Sequence, residues 1–286
     1  MRFSVVIPTF NRAATLRQTL TALAAQDYRE YEIIVVDDGS TDGTRALIMR
    51  EFPSVRYLAQ TNHGPAVARN YGIRESSGEI IAFTDDDCIP PRDWLARLAD
   101  GYARYPDAMG VGGGLIAPAD VLATNLFAQY ERYIGRVVYA VGDHDYLGGF
   151  ECPAGGTANM SYRRAILDQV NGFDEKFPVP AGEDADLKLR ICQRGHQLLY
   201  VPTWMMHAQE YAWRRFYRQC YVRGVGRNYF ESKHGAGYPS RFKIALRIAR
   251  RVLTLPLDLV AMSDKRLVFV KLADGLITCL GQWNGK

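Results

Sequence analysis

The sequence predicts an α/β protein with a mostly parallel sheet flanked by helices and a basic helical extension at its C-terminal end. Three observations predict it. Short apolar runs of strand length alternate with helical patterns through the first hundred residues. Carboxylates cluster where those runs end. Beyond residue 210 the texture becomes helical and basic. Buried strands separated by helices imply a parallel sheet covered on both faces.

Each element follows in order. Phe3 to Pro8 reads as a first strand, and Ala13 to Ala25 as a helix through Leu16, Leu20 and Leu23. Tyr31 to Val36 is a second strand, after which Thr41 caps a helix running to Phe52. Val55 to Leu58 is a third strand, and Gly64-Pro65 opens a helix to about Ser77. Glu79 to Thr84 is a fourth strand, and Trp94 to Tyr105 a further helix. Met109 to Ile116, with three glycines, reads as a strand, and Val121 to about Val138 as one amphipathic helix. Tyr139 to Thr157 is expected to be a mobile loop, and Thr157 to Tyr162 a strand. Gly182 to Arg194 is a helix, and Gln197 to Val201 a strand ending at Pro202.

The chain has 286 residues and 48% hydrophobic content, which places it among globular proteins. Its five cysteines are widely spaced, with no C-x-x-C pair, so neither a zinc knuckle nor a disulfide framework is indicated. A reducing, cytoplasmic setting follows. The net charge of +4 conceals an asymmetry. Residues 1–210 carry 20 Lys and Arg against 27 Asp and Glu, whereas residues 211–286 carry 15 against 4. A domain at 1–210 and an extension at 211–286 that meets an anionic partner are expected. Over 240–262, Phe242, Leu246, Ala249, Leu253, Leu257 and Val260 share one helical face, with Lys243, Arg247, Arg250 and Arg251 on another and a break at Pro256. Neither this segment nor 265–283 offers the ~20 uncharged residues of a spanning helix. A basic amphipathic pair suits an anionic membrane surface, peripherally and on the cytoplasmic side; packing on the rest of the chain or on a second subunit is the alternative. No stacking platform for nucleic acid is present.

In parallel sheets ligands sit outside the carboxyl ends of the strands. Thr9-Phe10-Asn11, Asp37-Asp38 and Asp85-Asp86-Asp87 all fall there. Three adjacent like charges at a strand end repel one another unless a cation sits among them. An oxygen-liganded divalent ion, Mg or Mn, fits, and such ions commonly bridge to phosphate.

Together the motifs resemble the family 2 inverting glycosyltransferases of the A-type (GT-A) fold. The resemblance covers residues 3 to about 210. It rests on Val5-Val6-Ile7-Pro8-Thr9-Phe10-Asn11, Val36-Asp37-Asp38-Gly39-Ser40, Gly64-Pro65-Ala66-Val67-Ala68-Arg69-Asn70, Phe83-Thr84-Asp85-Asp86-Asp87, Asn171-Gly172-Phe173-Asp174 and Gly182-Glu183-Asp184-Ala185-Asp186. It implies a nucleotide-binding set of Pro8, Thr9, Phe10, Asn11, Asp38, Arg69, Asp85 and Asp86. Asp38 accepts the imide N–H of uracil or thymine, so the donor is a UDP- or dTDP-sugar. Asp87, Asp85 and His207 hold Mn or Mg. Asp184 is the general base that takes the acceptor's proton, and Glu183 orients the acceptor or supports the loop. Gly156, Thr157 and Trp213 line the acceptor side. The processive members' Q-x-x-R-W motif is incomplete at Gln219-Cys220-Tyr221-Val222-Arg223-Gly224, which favours transfer of one sugar per event, to a glycan or lipid-linked acceptor in envelope polysaccharide synthesis. Arg223 to Arg227 either closes over a phosphate or forms a helix joint. A sugar-phosphate nucleotidylyltransferase and a non-catalytic nucleotide-sugar binder are the competing readings. The first expects a glycine-rich loop after the first strand, where Thr9-Phe10-Asn11-Arg12 stands.

Overall fold

A computed structural model describes residues 1–137, 142–235 and 237–285. In chain order its elements are β1 (Phe3–Thr9), α1 (Ala13–Ala24), β2 (Tyr31–Asp37), α2 (Thr44–Glu51), β3 (Arg56–Ala59), α3 (Pro65–Glu75), β4 (Ile80–Phe83), β5 (Cys88–Ile89) and α4 (Trp94–Arg104). There follow β6 (Gly110–Ile116), α5 (Ala119–Thr124), α6 (Leu126–Val137), β7 (Tyr146–Gly148), β8 (Met160–Arg163), α7 (Arg164–Gln169), α8 (Glu183–Cys192) and β9 (Leu198–His207). Four helices close the chain: α9 (Trp213–His234), α10 (Arg241–Leu253), α11 (Leu255–Ala261) and α12 (Lys265–Asn284).

The chain divides into two compact units. The first comprises Met1–Pro118, Gly135–Glu175 and Asp184–Gln209. The second comprises Ala119–Ile134, Lys176–Glu183 and Glu210–Lys286, so two segments from before residue 210 join the C-terminal helices.

The first unit is built on one sheet of order β3-β2-β1-β4-β8-β6-β9-β5, with β7 also pairing β9. β3, β2, β1 and β4 run parallel, as their continuous apolar runs predict. β8 then reverses direction against both β4 and β6, and β6 and β9 are again parallel. Val5, Ile7, Val35 and Ala82 face a core closed by Leu16, Leu20, Trp94 and Leu98. Val6, Ile34, Val36 and Phe83 face a second core with Ile73, Ile166 and Leu187. The period-2 alternation of strand side chains divides these sets between the two faces.

Several local expectations are corrected. The cap of α2 is Gly43, not Thr41, and Asp42 Oδ1 accepts from the Thr44 N–H at 3.0 Å. The single helix expected over 121–138 is two. Asn125 interrupts it, its Oδ1 accepting from the N–H groups of Phe127 (2.9 Å) and Ala128 (3.2 Å) as an N-cap does. The expected loop at 139–157 contains β7, and the strand expected from Thr157 starts with a 3₁₀ turn over Thr157–Asn159. The parts of these segments at 138–141 lie outside the described residues. β9 runs ten residues, straight through Pro202. Its register against β6 shifts there, Gly112 pairing Tyr200 and Gly114 pairing Trp204, so the proline sits in a bulge and breaks no ladder bond. Gly113 is what lets the bulge close, since a Cβ there would fall 2.1 Å from the Thr203 carbonyl oxygen.

The second unit is helical. Tyr130, Phe216, Cys220, Val270 and Ile277 form its core. α9 and α12 cross at glycines: a Cβ on Gly224 would meet the Thr278 carbonyl oxygen at 2.1 Å, and one on Gly281 the Tyr221 carbonyl oxygen at 2.1 Å. The Arg223–Arg227 segment is therefore a helix interior at a close crossing. Arg223 pairs with Asp274 at 3.1 Å and Arg227 with Glu231 at 2.8 Å. The break at Pro256 is present as the boundary between α10 and α11, with the proline in the first turn of α11. No described helix is long and apolar enough to cross a membrane.

Candidate active site

The carboxyl ends of β1, β2 and β4 bring three loops together. Asn11 follows β1 with φ of 54°, a left-handed conformation that Asn tolerates better than most residues. Its Oδ1 accepts from the Thr41 N–H (2.8 Å) and the Asp42 N–H (3.3 Å), tying the β1 loop to the β2 loop. Thr9 Oγ1 donates to Asp86 Oδ2 at 2.8 Å, tying it to the β4 loop. Pro8 is the penultimate residue of β1 and opposes Val36. Phe10 projects outward, 45% exposed.

The two aspartates that end β2 differ in what they hold. Asp37 accepts from the Ser40 N–H (2.8 Å) and the Tyr57 hydroxyl (2.7 Å), shaping the turn. Asp38 accepts from Gln60 Nε2 (2.7 Å), the His63 N–H (2.9 Å) and the Gly64 N–H (2.8 Å). A carboxylate has about four acceptor positions, so Asp38 is braced with one left to offer.

Arg12 follows Thr9-Phe10-Asn11 in the same loop, and nothing local in the sequence marks it. Its Nη1 reaches Asp87 Oδ2 at 2.6 Å and Asp86 Oδ1 at 3.1 Å. The guanidinium thus supplies positive charge to the acidic run. Burial pushes the Asp86 carboxyl up to about 6, against the pull of Arg12 and Thr9. Burial acts on Asp87 the same way, but the hydrogen bond and charge of His207, with Arg12, outweigh it and hold Asp87 well below the usual carboxylate range.

His207 is the last residue of β9, not a residue beyond it. β5 and β9 pair antiparallel with Cys88 opposite His207, and this register sets the imidazole beside Asp87. Nε2 lies 3.5 Å from Asp87 Oδ1. Asp87, Cys88 and His207 offer ligand atoms within 4.8 Å of one another. Burial raises the Cys88 thiol well above its ordinary value, and its soft sulfur is in any case a poor match for a hard cation. A carboxylate and an imidazole remain, a donor set that fits Mn and tolerates Mg.

Asp85 points the other way. It accepts from Arg69 Nη2 at 3.0 Å, and the Arg69 guanidinium also lies over the Phe173 ring, 5.7 Å from its centroid. Asp184, in the first turn of α8, is partly open to solvent, and its Oδ1 accepts from the Ala185 N–H at 2.7 Å. Desolvation raises its proton affinity, the Arg69 charge opposes this, and Asp85 adds to it. A carboxylate with raised proton affinity is suited to general-base work. Glu183 is buried one residue earlier. Asp186 is fully buried and accepts from Arg190 Nε at 2.8 Å, a helix-internal pair.

Gly156 comes close to this base, since a Cβ there would sit 4.0 Å from Asp184 Oδ2. Thr157 is buried in the following 3₁₀ turn, and Asn159 anchors that turn by accepting from Trp94 Nε1 (2.8 Å) and donating to the Thr203 carbonyl (3.0 Å). Lys188, one helical turn beyond Asp184, also goes unmarked in sequence. Its ammonium donates to the carbonyls of Cys152 and, at 2.8 Å, Ala154. Lys188→Met keeps the aliphatic stem and deletes those bonds. Amide hydrogen exchange at Cys152–Gly156 is expected to accelerate at least about tenfold, with β1 and β4 unchanged; unaltered exchange there would show that the loop holds itself. Trp213 belongs to the second unit, where it opens α9 and packs against Phe216 (5.7 Å) and Phe127 (6.1 Å).

Comparison with known proteins bears on the family and the fold. The pre-mycofactocin glycosyltransferase of Mycobacterium tuberculosis is 31% identical over 212 residues, 70% of this chain and 41% of that protein. The glucosyl-dolichyl phosphate glucuronosyltransferase of Haloferax volcanii is 28% identical over 182 residues, 61% of this chain and 56% of that one. The chain thus spans about half the length of these curated relatives. A mannosyltransferase from Pyrobaculum calidifontis, solved with GDP-Man and Mn2+, shares the fold with a TM-score of 0.68 at 20% identity, over 100% of this chain and 88% of that one. The model of glycosyl transferase family 2 matches residues 4–169, and the chain belongs to that family, built on its A-type fold.

Proposed function

We propose that the protein transfers one sugar from a nucleoside-diphosphate donor to an acceptor hydroxyl with inversion at the anomeric carbon. The observation that carries this reading lies in the first unit: His207 stands beside Asp87, the acidic run leads on to Asp85 paired with Arg69, and the Arg69 charge acts on Asp184. Asp184 takes the proton from the acceptor hydroxyl while that oxygen forms a bond to C1. The C1–O bond to the diphosphate breaks, and the diphosphate leaves with the electron pair. Asp87 and His207 would hold a divalent cation; Asp85, turned to Arg69, stands outside that pair. Bound there, such an ion supplies positive charge opposite the leaving diphosphate, so no protein acid is required. Glu183 orients the acceptor side, and Gly156 and Thr157 leave room for a sugar.

Pro8, Thr9, Phe10 and Asn11 form the base-side wall, and Asp38 offers its remaining acceptor position to a base N–H. Uracil and thymine present an imide N–H there. Guanine also presents donors, which brings in the GDP-sugar class to which the archaeal neighbour's ligand belongs. The test is thermal unfolding with UDP, dTDP, GDP and CMP, each with and without Mn. A nucleotide at a hundred times its dissociation constant stabilises by about 2.7 kcal/mol. The expected result is a Mn-dependent shift with UDP, dTDP or GDP and none with CMP. Equal shifts with all four, or none, would overturn the reading.

The acceptor is proposed to be glycan or lipid-linked, and attachment to be peripheral, on an anionic cytoplasmic membrane face. Support comes from α10 and α11, where Phe242 (79%), Leu253 (76%) and Val260 (84%) are the most exposed of an apolar stripe flanked by Lys243 and Arg250.

A further inference from the structure

An apolar trough runs along the second unit between α10 and α12. Ile248, Leu276, Ile277, Cys279, Leu280 and Trp283 line it, and its volume is ≈ 500 Å³. That lies within the roughly 300–1,000 Å³ of sites that hold small ligands. The trough is not isolated. Leu280 on its edge is exposed, as are Val252 and Leu253 on the α10 side and Phe269 further along α12.

Cations stand at both ends. The Arg241 guanidinium lies 5.2 Å from the Trp283 ring centroid. At the other end Arg251 packs on Gly275, where an added Cβ would meet its Cδ and Nε at 2.9 Å. Gly275 and Trp283 are eight residues apart on one helix, roughly 12 Å. Between them Arg247 donates to Gln282 Oε1 (2.9 Å) and pairs with Glu231 (2.9 Å), so its charge is already used. An uncharged channel with a guanidinium at each mouth is complementary to a molecule with a hydrocarbon body and an anionic head. An extended peptide laid in it would bring backbone polar groups to a lining that offers almost nothing to bond them. A hydrocarbon chain needs no such bonds.

We propose that this trough seats one hydrocarbon chain of an anionic bilayer lipid, its headgroup held by Arg241 or Arg251. The proposal rests on the membrane-surface reading above and deepens it: the helices bind a single lipid as well as lying on the surface.

The test uses the full chain with vesicles of phosphatidylglycerol carrying bromines partway down the acyl chain. Bromine quenches a tryptophan it touches. Trp283 is one of four tryptophans, and the difference between wild type and Trp283→Phe isolates its emission. Chain-brominated phosphatidylglycerol is expected to quench at least half of that emission. Ile248→Phe, which fills the trough, is expected to relieve the quenching while co-sedimentation with the vesicles persists. Vesicle binding without quenching of Trp283 would overturn the trough proposal and leave the surface reading standing. Absence of vesicle binding would overturn both, while the sugar-transfer reading stands or falls on the nucleotide screen. Equal quenching by brominated phosphatidylcholine would overturn the assignment of an anionic head. If Ile248→Phe does not fold, the comparison of wild type with Trp283→Phe still decides.

Discussion

Asp184→Asn is expected to abolish sugar transfer while leaving nucleotide affinity intact. The amide has the shape of the carboxylate but cannot accept the acceptor's proton. A positioned general base contributes about 10²–10⁴-fold, and a loss of that size in kcat is the expected outcome. Calorimetry with the nucleotide found in the screen should give an unchanged dissociation constant, because the base-side residues Thr9, Asn11 and Asp38 are untouched. Folding raises the proton affinity of Asp184. The wild-type rate should therefore fall as pH is lowered, with its midpoint above the ordinary carboxylate range. A group raised in this way favours the folded state most at low pH, and that advantage is lost as pH rises through its folded value. At pH 7 Asp184→Asn should then melt no lower than wild type, a gain in stability bought with function. Retention of transfer by the variant would remove Asp184 as the base. A large drop in melting temperature would instead assign it a structural role.

Asp87→Ala is the second expected large effect. Asp87 joins Arg12 and His207, and its proton affinity is depressed by both. Its contribution to stability is present above the unfolded carboxylate value and is lost as pH falls through the lower folded value. Removing it takes from Arg12 one of its two carboxylate partners and from His207 the carboxylate beside it, so a lower melting temperature at pH 7 is expected. The functional loss is expected to be greater. With the proposed cation ligand gone, transfer should fall on the order of 10²–10³-fold, the scale of losing a preorganised electrostatic stabiliser. The discriminating readout is the Mn dependence of nucleotide binding by calorimetry. It should vanish in Asp87→Ala and persist in Asp86→Asn, whose carboxyl is held by Thr9 and Arg12. Unchanged Mn dependence in Asp87→Ala would take Asp87 out of the shell.

How much was legible follows the range of the interaction. The parallel strands β1 to β4 were readable because a strand buried on both faces must be a short apolar run, a property of consecutive residues. The carboxylates at their ends were readable for the same reason: the end of such a run is where a sheet opens to ligand. Thr9, Asp38 and Asp85 fell where expected in the fold. The strand that carries His207 is harder to read, since Pro202 looks like a terminator until the Gly112–Gly114 bulge in β6 absorbs it.

Arg12 and Lys188 left no local signal. Each is a basic residue whose partners lie far along the chain, Asp86 and Asp87 for one, the carbonyls of Cys152 and Ala154 for the other. The glycines of α9 were equally ambiguous. Arg223–Arg227 suits a phosphate loop or a helix joint until α12 is laid against it and Gly281 meets Tyr221. Helical period and local charge are enough to mark α10 as an amphipathic helix with Phe242, Leu246 and Leu253 on one side. They cannot say which part of that side another helix covers. Burial of Ile244 and exposure of Phe242 are decided by where α12 packs, because helices two dozen residues apart meet only through the summed contacts of the folded chain.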